Sequence, residues 1–183
     1  MNIFYLHNDP KTCAEMHVDK HCVKMILEYA QLLSTAHRVL DGTEYIGKSV
    51  SGRKATRFLL SDDRESHLYL ASHLNHPSGK WVRHSASNYL WLFKLWIELM
   101  REYNYRYGKI HSAAKLIPYL KNLPNNIKEN GFCAPWRAMP DEYKVDRNEP
   151  DYTIKSYRAY YLGAKTNMFK WKNREIPEWI VSV

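Results

Sequence analysis

Glu28 stands in a line of polar residues, His17, His21, Lys24, Glu28, Gln31 and Thr35, whose spacings of four and three put them on one face of a helix. It is the only acid on that line, and Met25, Ile26, Tyr29 and Leu32 surround it in sequence. A carboxyl between apolar neighbours and basic groups is a common setting for proton transfer, which makes Glu28 the first candidate for acid/base chemistry. The ordinary alternative is an exposed edge on which Lys24 and Glu28 form an i,i+4 pair worth roughly a few tenths of a kcal/mol.

Two other chemistries have partial signatures. His17-x-x-x-His21 has metal-ligand spacing, but the HExxH arrangement is absent, and Cys13, Cys22 and Cys133 contain no CxxC pair. Neither a metal nor a cofactor is expected. Gly42 to Ser49 matches the literal pattern GxxxxGK[ST], the signature of a nucleotide phosphotransferase. It follows a long amphipathic segment rather than a buried strand, so the match reads as accidental.

Further along, His76, Pro77, Trp81, Arg83, Ser85 and Asn88 cluster where a turn meets a helix. Backbone amides at a helix start attract phosphate, and Arg83 would add a charge-assisted contact. From Lys155 to Arg174, basic and aromatic residues interleave: Tyr157, Arg158, Tyr160, Tyr161, Lys165, Phe169, Lys170, Trp171 and Lys172. Such interleaving suits phosphate contact with stacking on an unstacked base. A helix of this length also needs a buried face, so about half of these aromatics must belong to the core.

The elements that must hold these groups read as mostly α, one compact helical domain over residues 1–183 with long helices. Asn2 to Leu6 predicts a short strand or extended lead-in, and Asn8-Asp9-Pro10 a helix start. From Val18 to Leu40 apolar residues recur with helical period, and with Val23, Leu27 and Ala30 that helix reads as apolar around much of its circumference. Asp41-Gly42 ends it, and residues 42–53 read as a polar loop. Further helices are expected over Asp62–Leu74, Lys80–Tyr107, His111–Leu123 (interrupted by Pro118) and Asp151–Lys165. In the second of these the core stripe would be Val82, Ala86, Tyr89, Phe93, Trp96, Met100, Tyr103 and Tyr107. Pro124–Pro150 is a long connection, and a basic aromatic tail runs to Trp179.

The chain has 27 Lys plus Arg against 19 Asp plus Glu, a formal charge of +8 that favours a polyanionic partner through counterion release. DNA is the expected partner. No apolar run approaches the roughly 20 residues of a membrane span, and the unpaired cysteines fit a reducing compartment. A cytoplasmic protein is expected, in the host cytoplasm if phage-encoded.

With these residues in view, the chain resembles the phage pyrimidine-dimer DNA glycosylases of the endonuclease V type, together with related proteins of tailed phages. Asp19-x-His21 followed by Glu28-Tyr29 and Leu32 carries the likeness. So do His76-Pro77 with Trp81-x-Arg83, the run Glu102-Tyr103 to Arg106-Tyr107-Gly108, and Tyr157-Arg158-Ala159-Tyr160-Tyr161. The resemblance implies cleavage of the N-glycosidic bond of a damaged or modified pyrimidine nucleotide after base flipping, with strand cleavage as a possible second step. It implies attack by the terminal α-amine, hence a catalytic Met1 and Asn2, assisted by Glu28. Substrate and DNA contacts are expected from His21, Lys24, Gln31, His76, Trp81, Arg83, Asn88, Tyr157, Arg158 and Tyr161. The chain departs from the family in carrying Lys24 and Gln31 where arginines surround the glutamate, and Asn2 disfavours trimming of Met1. The alternatives are a non-catalytic phage nucleic-acid-binding protein, a nucleotide kinase using residues 42–49, and an enzyme acting on free nucleotides.

Overall fold

The computed structural model describes residues 1–49 and 51–181, and it is mostly α-helical. The lead-in Asn2–Leu6 is neither helix nor strand and is buried throughout, with a tight turn in which the Leu6 amide donates to the Phe4 carbonyl. Its side chains Ile3, Phe4, Tyr5 and Leu6 enter the core, which explains its apolar composition. Asp9 then caps α1 (Pro10–Glu15), its carboxylate accepting from the Thr12 amide at 2.8 Å, with Pro10 at the first helical turn.

The long helix α2 (Asp19–Asp41) and its partner α5 (Ala86–Tyr107) form the centre of the molecule, with α1 packed on α5 and α4 (Pro77–His84) packed on both long helices. The inward face of α2 is the predicted apolar one: Cys22, Met25, Ile26, Tyr29, Leu32, Leu33 and Ala36 are all buried. Ala30 is buried as well, but Val23 and Leu27 are 39% and 41% exposed. The helix therefore keeps an exposed side over its first half, while from Leu32 to Arg38 it is buried all round. A single long helix over Lys80–Tyr107 is corrected to two, because Ser85 is extended (φ −150°, ψ 145°) and the chain turns there. The cap comes from far along the sequence: the Glu129 carboxylate accepts from the Ser87 amide at 3.0 Å and from the Ser85 and Ser87 hydroxyls. The core stripe of α5 runs through Tyr89, Leu92, Leu95, Trp96 and Leu99, while Phe93 and Met100 are only half-buried. Gly108 ends α5 in the left-handed conformation (φ 64°) that glycine adopts without strain.

The expected loop over 42–53 is instead half of an antiparallel hairpin, β1 (Thr43–Lys48) paired with β2 (Lys54–Leu59). Gly42 permits it: a Cβ there would stand 2.5 Å from the Arg38 carbonyl oxygen, so only glycine lets the strand leave directly from the helix end. Arg38 then pins the root of the hairpin, being 1% exposed and using all five guanidinium N–H groups. They bond the carbonyls of Phe58, Glu65, Leu68 and Tyr69 and the Glu65 carboxylate. Those carbonyls explain a further correction. The helix expected over Asp62–Leu74 shrinks to α3 (Arg64–His67), because a buried cation claims the oxygens that a continued helix would have used.

His111–Leu123 is a 3₁₀ turn (Ser112–Leu116) running into α6 (Ile117–Leu120), with Pro118 tolerated in its first turn. After the long connection, α7 (Tyr152–Ala164) packs its Ile154, Tyr157 and Tyr161 face inward, and the tail ends in α8 (Glu178–Val181). The buried apolar residues form one contiguous cluster that reaches from the lead-in to Trp171. Among the described residues no helix is long and apolar enough to cross a membrane.

Candidate functional site

The lead-in, α2 and α7 meet around a cavity of about 310 Å³. Met1, Asn2, Phe4, Lys20, His21, Lys24, Met25, Glu28, Ala138, Tyr160, Lys165 and Met168 line it. At one wall the Met1 α-amine lies 3.8 Å from Glu28 Oε2, and Lys24 Nζ lies 3.1 Å from Glu28 Oε1. The Met1 side chain is 3% exposed although the residue as a whole is half-buried, so the part presented to the cavity is main chain. A larger hollow of about 540 Å³ lies beside Trp136 and Arg137, and no carboxylate is among its lining residues.

The position of the amine follows from Asn2. Its side-chain nitrogen donates to the Ala138 carbonyl at 2.9 Å, and its oxygen accepts from the Ile3 amide and from the Tyr157 hydroxyl, each at 2.9 Å. Asn2 is thus an anchor beside the cavity rather than a reacting group. Below it, the Tyr29 hydroxyl accepts from the Phe4 amide at 3.2 Å and bonds His17 Nε2 at 3.1 Å. His17 Nδ1 lies 2.7 Å from the Cys13 carbonyl, which can only accept, so Nδ1 carries the proton and Nε2 accepts from Tyr29. Burial lowers the His17 pKa to about 4, keeping the ring neutral in this role. With both nitrogens committed, the His17/His21 pair does not converge on a common ligand point.

His21 forms the back of the cavity, stacked on Phe4 at 4.1 Å and hydrogen-bonded to the Tyr161 hydroxyl at 2.6 Å. Burial above all, with the nearby charges of Lys165 and Lys24, pushes its pKa down to about 3. It is a neutral wall. The charge around the cavity comes from Lys20, Lys24 and Lys165, facing the single carboxylate of Glu28, with Lys165 Nζ 4.7 Å above the Tyr160 ring. A cavity edged in this way attracts an anion such as a phosphate.

His76 caps α4 through its ring, accepting from the Ser78 amide at 3.2 Å. Its pKa is lowered by partial burial first, then by the positive charges of the α-amine and His73, with Glu28 opposing. It therefore stands within electrostatic reach of the site without lining it. Gln31 continues the same face of α2, half-buried, one turn beyond the cavity.

The other predicted contact residues are turned inward, which corrects their assignment. Trp81 is fully buried, donating to the Cys133 carbonyl at 2.9 Å. Asn88, also fully buried, ties the same loop down through the Trp81 carbonyl and the Cys133 amide. Tyr157 and Tyr161 are fully buried as the anchors of Asn2 and His21. Arg158 uses its guanidinium on the Leu6 carbonyl, at 2.9 and 3.1 Å, and lies 5.2 Å over the Trp179 ring. Arg83 is half-buried, donates to the Leu74 carbonyl at 2.8 Å, and has its pKa lowered by burial.

Sequence reasoning missed Lys20, Tyr160 and Lys165 as cavity residues. Lys20 was detectable as the residue four before Lys24, one turn back on the same helix face. Tyr160 and Lys165 belong to the interleaved basic aromatic run. There the inward face of α7 is set by Ile154, Tyr157 and Tyr161 at spacings of three and four, which leaves Tyr160 off that face, and Lys165 follows at the C-terminal cap of the helix. The segment 42–49 has no phosphate-cradling geometry, since Gly47 and Lys48 lie on a strand and no helix opens after them.

No protein-family model, no curated protein and no solved structure matches this chain.

Proposed function

We propose that the protein is a DNA N-glycosylase, with an associated lyase step, that acts on a damaged or modified pyrimidine nucleotide flipped out of the duplex. The observation that carries this reading is the 3.8 Å approach of the Met1 α-amine to Glu28 in a lysine-edged cavity. An amine set against a carboxylate has a proton acceptor at hand, the arrangement by which amine nucleophiles are activated. The amine attacks C1′ of the sugar, the C1′–N bond breaks, and the base departs with the electron pair and takes up a proton. The nitrogen then loses a proton as the C1′–O4′ bond opens and O4′ gains one, leaving an imine. Removal of a C2′ proton expels the 3′ phosphate. Glu28, which touches the amine, is the group that carries these protons, and Lys24 holds its other oxygen.

At about 310 Å³ the cavity is at the small end of ligand sites, a size for one nucleoside rather than a stretch of strand. Lys20, Lys24 and Lys165 serve the flanking phosphates, and His21 and Phe4 present a neutral stacked wall to the base. No cofactor enters the reaction.

Borohydride reduces an imine to a stable amine, so incubation with duplexes carrying pyrimidine dimers or modified pyrimidines should yield a covalent protein–DNA adduct whose linkage maps to Met1. Adding two residues ahead of Met1 should abolish the adduct while leaving DNA affinity intact. An adduct on a lysine, or equal trapping by the extended chain, contradicts the role of the amine. Absence of base release from every such substrate removes the glycosylase reading.

A further inference from the structure

The β1–β2 hairpin is exposed on both faces. Direct partners across it share a face, which puts Tyr45 with Arg57 and Gly47 with Ala55 on one side, and Ile46 with Thr56 and Lys48 with Lys54 on the other. No residue of either strand is buried; Tyr45 is 47% exposed on one face and Ile46 67% on the other. A two-stranded hairpin standing alone is marginal in water, and this one is held chiefly at its root, where Arg38 bonds the Phe58 carbonyl and the Gly42 amide donates to the Arg38 carbonyl. Toward the far end, the Ser49 amide donates to the Arg53 carbonyl at 2.7 Å and the Gly52 amide to the Ser49 carbonyl at 2.9 Å.

Its charge is one-sided. Residues 43–59 contain Lys48, Arg53, Lys54 and Arg57 but a single acid, Glu44. Lys48 and Lys54 are direct cross-strand partners on one face, a like-charge pairing that disfavours the free hairpin and that an anion between them would relieve. Neither lysine, nor Arg53, makes an ion pair among the described residues. The same charge opposes pairing of the free strand edges with those of a second copy.

We propose that this hairpin is a DNA-binding arm that enters the major groove of the duplex, with Lys48, Arg53 and Lys54 on backbone phosphates and Tyr45 and Ile46 against the groove floor and walls. Two strands lie about 4.8 Å apart, and the major groove, roughly 12 Å wide, admits such a ribbon where the minor groove, roughly 6 Å, does not. Asp41 lies thirteen positions beyond Glu28 on α2, about 20 Å of helix or some six base pairs, so the arm would contact duplex away from the reacting nucleotide. The inference rests on duplex DNA being the partner, as in the reading above, but not on catalysis.

The test is binding of the full chain to an undamaged 30-base-pair duplex, followed by fluorescence anisotropy across a series of salt concentrations. Replacing Lys48, Arg53 and Lys54 together by alanine should flatten the log–log salt slope by about 2 to 3, at roughly 0.9 per phosphate contact, and weaken binding at least tenfold at moderate salt. In the wild type, methylation of guanine N7, which projects into the major groove, should interfere with binding. An unchanged slope and affinity in a folded triple variant, an absence of N7 interference, or no duplex binding by the wild type would each overturn the arm. No base release by the wild type, with the slope change still observed, would instead count against the glycosylase reading alone.

Discussion

Tyr157 and Asn2 lie 155 positions apart in the chain and are joined by a 2.9 Å hydrogen bond from the phenol to the side-chain amide oxygen. That bond fixes the residue immediately after the α-amine, so a buried hydroxyl on α7 sets where the amine points. Tyr157→Phe should cost about 1–2 kcal/mol of stability, the usual penalty for a lost buried hydrogen bond. It should also lower covalent trapping about tenfold with duplex affinity unchanged, read from urea midpoints and borohydride adduct yields on the same preparations. Trapping at the wild-type level would show that Asn2 holds its place through Ala138 alone.

Glu28→Gln retains shape and hydrogen bonding but removes the carboxylate from beside the amine. The variant should fold and bind duplex normally and release base about a hundredfold more slowly, the scale typical of acid–base groups. Single-turnover base release is the measurement. Wild-type rates in a folded Gln variant would sink the assignment.

Three buried histidines make stability depend on pH in the mildly acid range. Burial depresses His17 and His37 to about 4 and His21 to about 3, below the ordinary value near 6.5 that applies when the chain is unfolded. Between those values the unfolded state binds more protons, so stability rises with pH there. The contribution is complete above about pH 6.5 and is lost progressively as pH falls toward the folded values, with a limiting slope of about 1.4 kcal/mol per pH unit for each ring. Urea midpoints should already fall between pH 6.5 and 5, before most carboxylates titrate. A flat profile over that interval would mean the rings are protonated in the folded protein.

Arg38→Met should destabilise the protein by about 3–5 kcal/mol, because it strands four carbonyls and the Glu65 carboxylate that the guanidinium now satisfies. Amide exchange should quicken first in the hairpin, whose root loses its pin. A loss under about 1 kcal/mol with the hairpin amides still protected would contradict the clamp.

Helical period alone brings α2 into view, because Cys22, Met25, Tyr29, Leu32 and Ala36 repeat where a core-facing helix needs them. Glu28 on its polar line, and the amine that the resemblance pairs with it, then meet in one cavity. The hairpin was hidden for the same physical reason that it is exposed. With neither face buried, Thr43–Lys48 has no alternation of apolar and polar residues, and Tyr45 stands directly beside Ile46. The break at Ser85 was equally silent, because its cap, Glu129, lies 44 residues away. Tyr157, Arg158 and Tyr161 were misread because base and aromatic in alternation look the same whether they face DNA or the core. Only the spacing of Ile154, Tyr157 and Tyr161 sorts them.

The anchoring of Asn2 by Tyr157 also orders the assembly of the cavity in time. Asn2 is synthesised well before its partners Ala138 and Tyr157, which follow more than a hundred residues later. At roughly 5–20 residues per second the interval is about 10–30 s, during which Asn2 lacks both partners although Phe4 can already meet His21 and Tyr29. The wall that Asn2 forms beside Glu28 is thus complete only once α7 is made, which places the cavity among the last features of the molecule to assemble.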